Sequence, residues 1–327
     1  MNLADMFTVV SMTNSVNKLP RPPTMVGDMG IFDDKGVRST DVMVEEAKGR
    51  LHLVENISRK DEPIPRKKDK RARRTFQTLH LPDADVILPS ELQNIPSFGS
   101  ENLKNPEVEV INDRLQQLKN NIETTREFMR VGALRGRLLD ARGDLLYDLF
   151  QEFGVQKHTV AVPFNVAETN MRELCTHVRR HTKNKMHGLA NQGVGVLCGK
   201  AFWDELVKHP SVEKAYLGWE AAADKLARDL REEGFEFGGL KFREYDIEVD
   251  SQQFIPDDVA QVFPLDPNAY AMFNAPAEYN EAINTLGVPY YAKGTERPKG
   301  KGWDLDVESN PLAMTLYPEA LVEMKIA

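Results

Sequence analysis

PEVEVINDRLQQLKNNIETTREFMRV, residues 106–131, is the stretch on which the reading of the fold turns. Asn105 ahead of it is a capping residue, Pro106 suits a first helical turn, and Glu107 falls near the positive end of the helix dipole. Val108, Ile111, Leu115, Leu118, Ile122, Thr125 and Met129 then recur at alternating spacings of 3 and 4, which is one face of an α-helix. At 1.5 Å per residue that helix is roughly 39 Å long. Its stripe is narrow and its other faces are polar, so it is expected to lie across one surface, not inside a core. A coiled coil is the competing reading. It needs three to four heptads, and Gly132 interrupts the pattern.

Upstream, GRLHLVENIS (49–58) and TFQTLHL (75–81) both read as strands. SRKDEPIPRKKDKRARR, residues 58–74, separates them with nine Lys/Arg and three Asp/Glu, a local net charge of +6. The whole chain carries −8, so the remainder carries −14. A long hairpin with a cationic tip therefore projects from an acidic body. Hairpin loops are usually about 2–5 residues, and longer ones tend to be functional or mobile. A solvated charge run and a contact element fit this tip equally well. Further upstream, residues 1–48 show no sustained period. Pro20, Pro22, Pro23, Gly27, Gly30 and Gly36 punctuate an expected extended arm.

Downstream, residues 134–153 read as strand, turn, strand, with Ala141-Arg142-Gly143-Asp144 at the turn. Arg142-Gly143-Asp144 could be named an adhesion motif, but a turn explains it better. Asn165 with Glu168 resembles a capping box for a helix bearing Ala167, Met171, Leu174 and Val178. VGVLCG (194–199) is a buried strand, 201–209 a helix stopped by Pro210, and Ser211 caps the next. Residues 235–249 and 257–265 read as strands, and 311–326 as a terminal strand pair around Pro318. No internal repeat is visible.

The 327 residues allow two or three domains. Hydrophobic residues at 41% and charged residues at 28% are enough to build a core. The acidic balance disfavours a dedicated nucleic-acid binder. No run of 18 apolar residues offers a membrane span, and no basic residue precedes Lys18 as a signal peptide requires. Cys175 and Cys198 alone suit a reducing compartment and exclude a cysteine framework.

Catalytic chemistry is not legible. Gly193, Gly195 and Gly199 are spaced one residue too long for a dinucleotide fingerprint. A P-loop would need residues other than Val194 and Ala201. His177 and His181 are one turn apart, but Val178 stands where a zinc protease needs Glu. The cations Arg179, Arg180, Lys183 and Lys185 oppose a metal, so a solvated helix face explains the pair better. No G-x-S-x-G elbow exists. No catalytic, cofactor-binding or metal-binding residue is assigned, and no cofactor is expected. What remains is architectural: an arm, a charged hairpin, a long helix and a mixed α/β body leave surface for neighbours to cover.

At this point a resemblance can be stated. Its residues are Phe202-Trp203-Asp204-Glu205-Leu206 leading to His209-Pro210-Ser211-Val212; Phe235-Glu236-Phe237-Gly238-Gly239-Leu240; Phe254-Ile255-Pro256; Phe263-Pro264; Ala275-Pro276-Ala277-Glu278-Tyr279; Gly287-Val288-Pro289-Tyr290-Tyr291-Ala292-Lys293; and Ser309-Asn310-Pro311-Leu312 before Tyr317-Pro318. Each is weak alone, but their order and spacing resemble the lambda-type capsid E family of tailed-phage major capsid proteins. The resemblance covers nearly the whole chain. It implies an α+β fold of the Hong Kong 97 phage type, with the N-arm at 1–45 and the extended β-hairpin loop at 46–101. The peripheral domain with its spine helix would take 102–165 and 269–327, and the axial domain 166–268.

The implied function is structural: self-assembly into hexamers and pentamers of an icosahedral head around double-stranded DNA, in the virion, after assembly in the host cytoplasm. A cellular nanocompartment shell of the same fold and a soluble oligomeric enzyme are the alternatives. The implied partners are further copies of the chain, a portal, DNA bound non-specifically, and a decoration protein as a further candidate. No membrane partner is implied. No acidic or coiled-coil extension precedes the arm, which implies a separate scaffolding protein. Arg66, Lys67, Lys68, Lys70 and Arg71 are the candidate inter-subunit contacts.

Overall fold

A computed structural model describes residues 8–22, 24–46, 72–92, 106–186, 192–224 and 234–327. In chain order its elements begin with α1 (Val9–Lys18), α2 (Met25–Asp28), β1 (Asp34–Gly36), β2 (Asp41–Glu46), β3 (Ala72–Gln77), β4 (Leu81–Ile87), α3 (Pro89–Leu92) and α4 (Pro106–Arg135). There follow β5 (Arg137–Leu139), β6 (Leu145–Asp148), α5 (Leu149–Phe153), β7 (His158–Val162), α6 (Met171–Lys185), β8 (Val194–Cys198), α7 (Lys200–Lys208) and α8 (Pro210–Asp224). Strands then dominate, with short 3-10 turns between some of them: β9 (Phe235–Phe237), β10 (Leu240–Glu244), β11 (Glu248–Val249), β12 (Gln252–Gln253), β13 (Val259–Pro264), β14 (Tyr270–Asn274), β15 (Tyr291–Glu296), β16 (Trp303–Ser309), β17 (Pro311–Thr315) and β18 (Val322–Ile326). Contacts divide the chain into two compact units, 1–42 with 76–130 and 271–313, and 43–75 with 131–270 and 314–327.

In the first unit the apolar stripe of α4 finds its partner. Ile111, Leu115, Leu118 and Ile122 pack with Met12 and Val16 of α1 and with Ile87, Ala292, Leu305 and Val307 of an antiparallel sheet ordered β15-β16-β4. Fully burying each such aliphatic side chain contributes roughly 1.5–3 kcal/mol. Alternation sets that sheet's faces: Leu305 and Val307 point inward, while the alternating Asp304 and Asp306 are only partly covered. β1 adds parallel to β14, which also neighbours β17. Gly287 crosses this layer closely, and a Cβ there would lie 1.9 Å from the Asn274 carbonyl oxygen.

The second unit centres on a mixed six-stranded sheet ordered β7-β18-β13-β8-β10-β9. β8 and β13 are buried at every residue, as strands covered on both faces must be. Met171, Cys175 and Val178 of α6 and Phe202, Trp203 and Leu206 of α7 close the core over Val196, Ala260, Val262, Val322 and Met324.

Several local expectations are corrected. α4 runs through Gly132 and stops at Gly136, whose φ of +71° is the left-handed conformation that ends helices. The segment expected to be a plain extended arm holds α1, whose Val9, Met12 and Val16 are buried. Residues 149–153 form a helix that Asp148 caps, not a strand. α6 is capped by Asn170 with Glu173, not by Asn165 with Glu168, and Ala167 lies outside it. His209, not Ser211, opens α8: its carbonyl accepts from Val212 and Glu213, and its ring contacts the Ser211 hydroxyl at 2.9 Å. β17 and β18 do not pair with each other, because β18 joins β13 and β7.

Candidate assembly site

The polar side of α4, expected to face solvent, is buried in its C-terminal half. Lys119, Glu123, Arg126, Glu127 and Arg130 are each at most 3% exposed. Burying one such charge alone costs several kcal/mol, so each must be paired. Arg130 lies 2.8 Å from Glu123 and 3.3 Å from Glu127. Glu123 also accepts from the Tyr290 hydroxyl. Arg126 donates to Asp34 at 2.8 Å, Asn274 at 2.8 Å and Ser309 at 3.0 Å. Burial pulls on the Arg130 guanidinium, but Glu123 and Glu127 outweigh it and hold it above its ordinary value. For Lys119, burial prevails over attraction to Glu123 and lowers the ammonium.

This ladder holds the N-terminal segment. Lys119 donates to the carbonyls of Val16 at 2.9 Å and Leu19 at 2.7 Å, the negative end of α1. Glu127 accepts from the backbone N–H groups of Val26 at 2.6 Å and Gly27 at 3.1 Å. Asp34 receives Arg126. Charges spaced 4, 3, 1 and 3 along one helix thus fasten residues 16 to 34. Sequence reasoning missed them because their partners are about a hundred residues away in the chain.

β2 pairs with β3, forming the legs of a hairpin whose Val42, Val44 and Phe76 are buried. Arg66, Lys67, Lys68, Lys70 and Arg71 lie between these legs in sequence and outside the described residues. So does the strand expected at 49–58. Met43 on β2 is 69% exposed. In the first unit, Ile283 and Leu286 are 65% and 59% exposed on a turn braced by the Thr285 hydroxyl bond to the Ala282 carbonyl at 2.7 Å.

The rejected chemistry stays apart in space. His177 is 70% exposed with Glu173 at 3.9 Å, while His181 turns inward to the Glu319 carbonyl at 3.2 Å. Among the described residues no group of three or more His, Cys, Asp or Glu could hold a metal ion. Gly195 and Gly199 are packing glycines: a Cβ at 199 would lie 2.1 Å from the Pro256 carbonyl oxygen. Cys175 and Cys198 are buried, and burial pushes the Cys175 thiol up to about 12. Among the described residues no helix is long and apolar enough to cross a membrane.

The family described as phage major capsid protein E matches residues 8–326. The chain belongs to that family. The major capsid protein of Salmonella phage Felix O1 is 23% identical over 98% of this chain and 96% of its own length. The major capsid protein of Pseudomonas phage KPP10 is 26% identical over 100% and 99%. These relatives are structural proteins, not enzymes. Among solved structures, a prophage capsid protein from E. coli CFT073 superimposes with a TM-score of 0.63 at 14% identity, over 98% of this chain and 99% of that one. The capsid protein of Myoviridae phage XM1 does so with 0.51 at 9% identity, over 100% and 99%. The fold is the α+β, Hong Kong 97-like fold of these capsids, and the chain is a phage major capsid protein, a structural component of the virion shell.

Proposed function

We propose that this capsid protein assembles as hexamers and pentamers of an icosahedral head that encloses double-stranded DNA. The observation that carries the reading is the family match over residues 8–326. In this reading residues 1–45 are the N-arm and 46–101 the extended loop. Residues 102–165 with 269–327 form the peripheral domain, and 166–268 the axial domain. A separate scaffolding protein, a portal and a candidate decoration protein complete the shell in the host cytoplasm. DNA is held without sequence preference. The chain's net charge of −8 supports loose containment, since tight phosphate contacts at every subunit would hinder release.

The cationic segment acts between subunits. A net +6 over residues 58–74 faces −14 elsewhere, so a neighbour's acidic surface attracts it. Single exposed pairs are worth about 0–1 kcal/mol, so Arg66, Lys67, Lys68, Lys70 and Arg71 must act together. Replacing all five with Ser is expected to leave the subunit folded and to raise the protein concentration at which light scattering reports shell formation. An unchanged threshold and salt response would place the segment against DNA or solvent instead. Nuclease-protected double-stranded DNA in purified particles tests the cargo, and a protein cargo would contradict it.

A further inference from the structure

His158 at the start of β7 and His181 on α6 stack face to face, ring centroids 3.9 Å apart and planes 7° from parallel. They line an open cavity of about 270 Å³ with Val155, Gln156, Lys157, Lys185 and Glu319. β7 is the edge strand of the six-stranded sheet, parallel to β18. α6 covers that sheet through Met171, Cys175 and Val178, and its last turns bury Thr182 and the capping Met186. Polar contacts join that packing at the same end: the His stack, the His181 ring against the Glu319 carbonyl at 3.2 Å, and Lys185 to the Glu319 carboxylate at 2.8 Å.

We propose that the His158–His181 stack is an acid-sensitive latch that fastens the C-terminal end of α6 to the edge of the sheet. The electrostatics of the surroundings decide its direction. Lys157, beside β7, is paired with Glu323 of β18, and Lys185 on α6 is paired with Glu319 of the 318–320 turn. These four charges cancel, leaving no spare anion to accept charge on the imidazoles. His177, one turn back on α6, is exposed beside Glu173. One protonated ring can stack on a neutral one, but two cations at 3.9 Å repel.

Burial, then the neighbouring His158, lowers the His181 imidazole below its ordinary value, although the Glu319 carbonyl opposes this. A base depressed in the folded state stabilises above the unfolded value near 6.5 and loses that stabilisation as pH falls below it. The latch is therefore closed at neutral pH and opens on acidification. The cavity gives the released turn room to move.

Hydrogen exchange of the full-length chain, corrected for intrinsic rates, tests this. Amides 181–186 should exchange several-fold faster at pH 5 than at pH 7.5, and no more than about thirtyfold faster given an unfolded value near 6.5, while β8 and β13 stay protected. His158→Phe keeps an aromatic ring against His181 and its burial but removes the possibility of a second cation. It should match the native chain at pH 7.5 and lose part of the acid response. His181→Gln, which retains a donor toward Glu319, should lose most of it. A native-like acid response in both variants would overturn the latch. So would acceleration spread evenly over the six-stranded sheet, because that is global acid unfolding.

Discussion

Arg130 and Arg114 lie four turns apart on one helix and show how little residue type says about worth. Arg114 is one-third exposed, within 3.3 Å of Asp85 and 2.8 Å of Glu91. Arg130 is 3% exposed between Glu123 and Glu127. Removing one member of a buried pair strands the other, at about 3–5 kcal/mol, whereas surface pairs are worth about 0–1. Arg130→Met should therefore shift the urea midpoint by the larger amount and Arg114→Met by the smaller, with the slope unchanged in both. Equal shifts would mean that the ladder is hydrated. Two glycines contrast in the same way. Gly287→Ala drives a Cβ into the Asn274 backbone and should cost more than about 3 kcal/mol. Gly218 on α8 has open space around it, and Ala there should stabilise by about 1 kcal/mol. Thermal melts of the two variants should move in opposite directions.

At the scale of elements, the ladder makes the N-terminal segment part of the first unit. Lys119→Met with Glu127→Gln removes the caps on α1 and α2 while keeping side-chain volume. Residues 9–28 should then lose hydrogen-exchange protection several-fold, with β13 unchanged. Protection retained at 9–28 would assign the docking to Met12 and Val16 alone. The same elements show what was legible. α4 could be read because its apolar stripe repeats over six turns and local spacing suffices. α1 could not, because Val9, Met12 and Val16 make only one repeat before the prolines begin. The start of α6 was misplaced because Asn165/Glu168 and Asn170/Glu173 are equivalent locally. Only burial of Met171 and Cys175, a tertiary fact, selects the second. The charges of α4 were read as solvated because Asp34, Asn274, Tyr290 and Ser309 reach them only in the folded chain. Arg66 through Arg71 remain known by composition alone.

At the scale of the whole molecule, the chain is a family member over almost its full length, with a fold shared by capsids of negligible sequence identity. Packing two cores requires volume and pattern more than identity, so such a fold outlasts its sequence. In the proposed reading, the exposed Met43, Ile283 and Leu286 and the net +6 of residues 58–74 are offered to other subunits. Cryo-electron microscopy of the particles formed by the expressed chain tests this most directly. The account predicts closed icosahedral shells in which pentamers and hexamers share this subunit fold and residues 58–74 of each copy rest on a neighbour. A small closed oligomer that never forms a shell, under conditions where the subunit is folded, would contradict it.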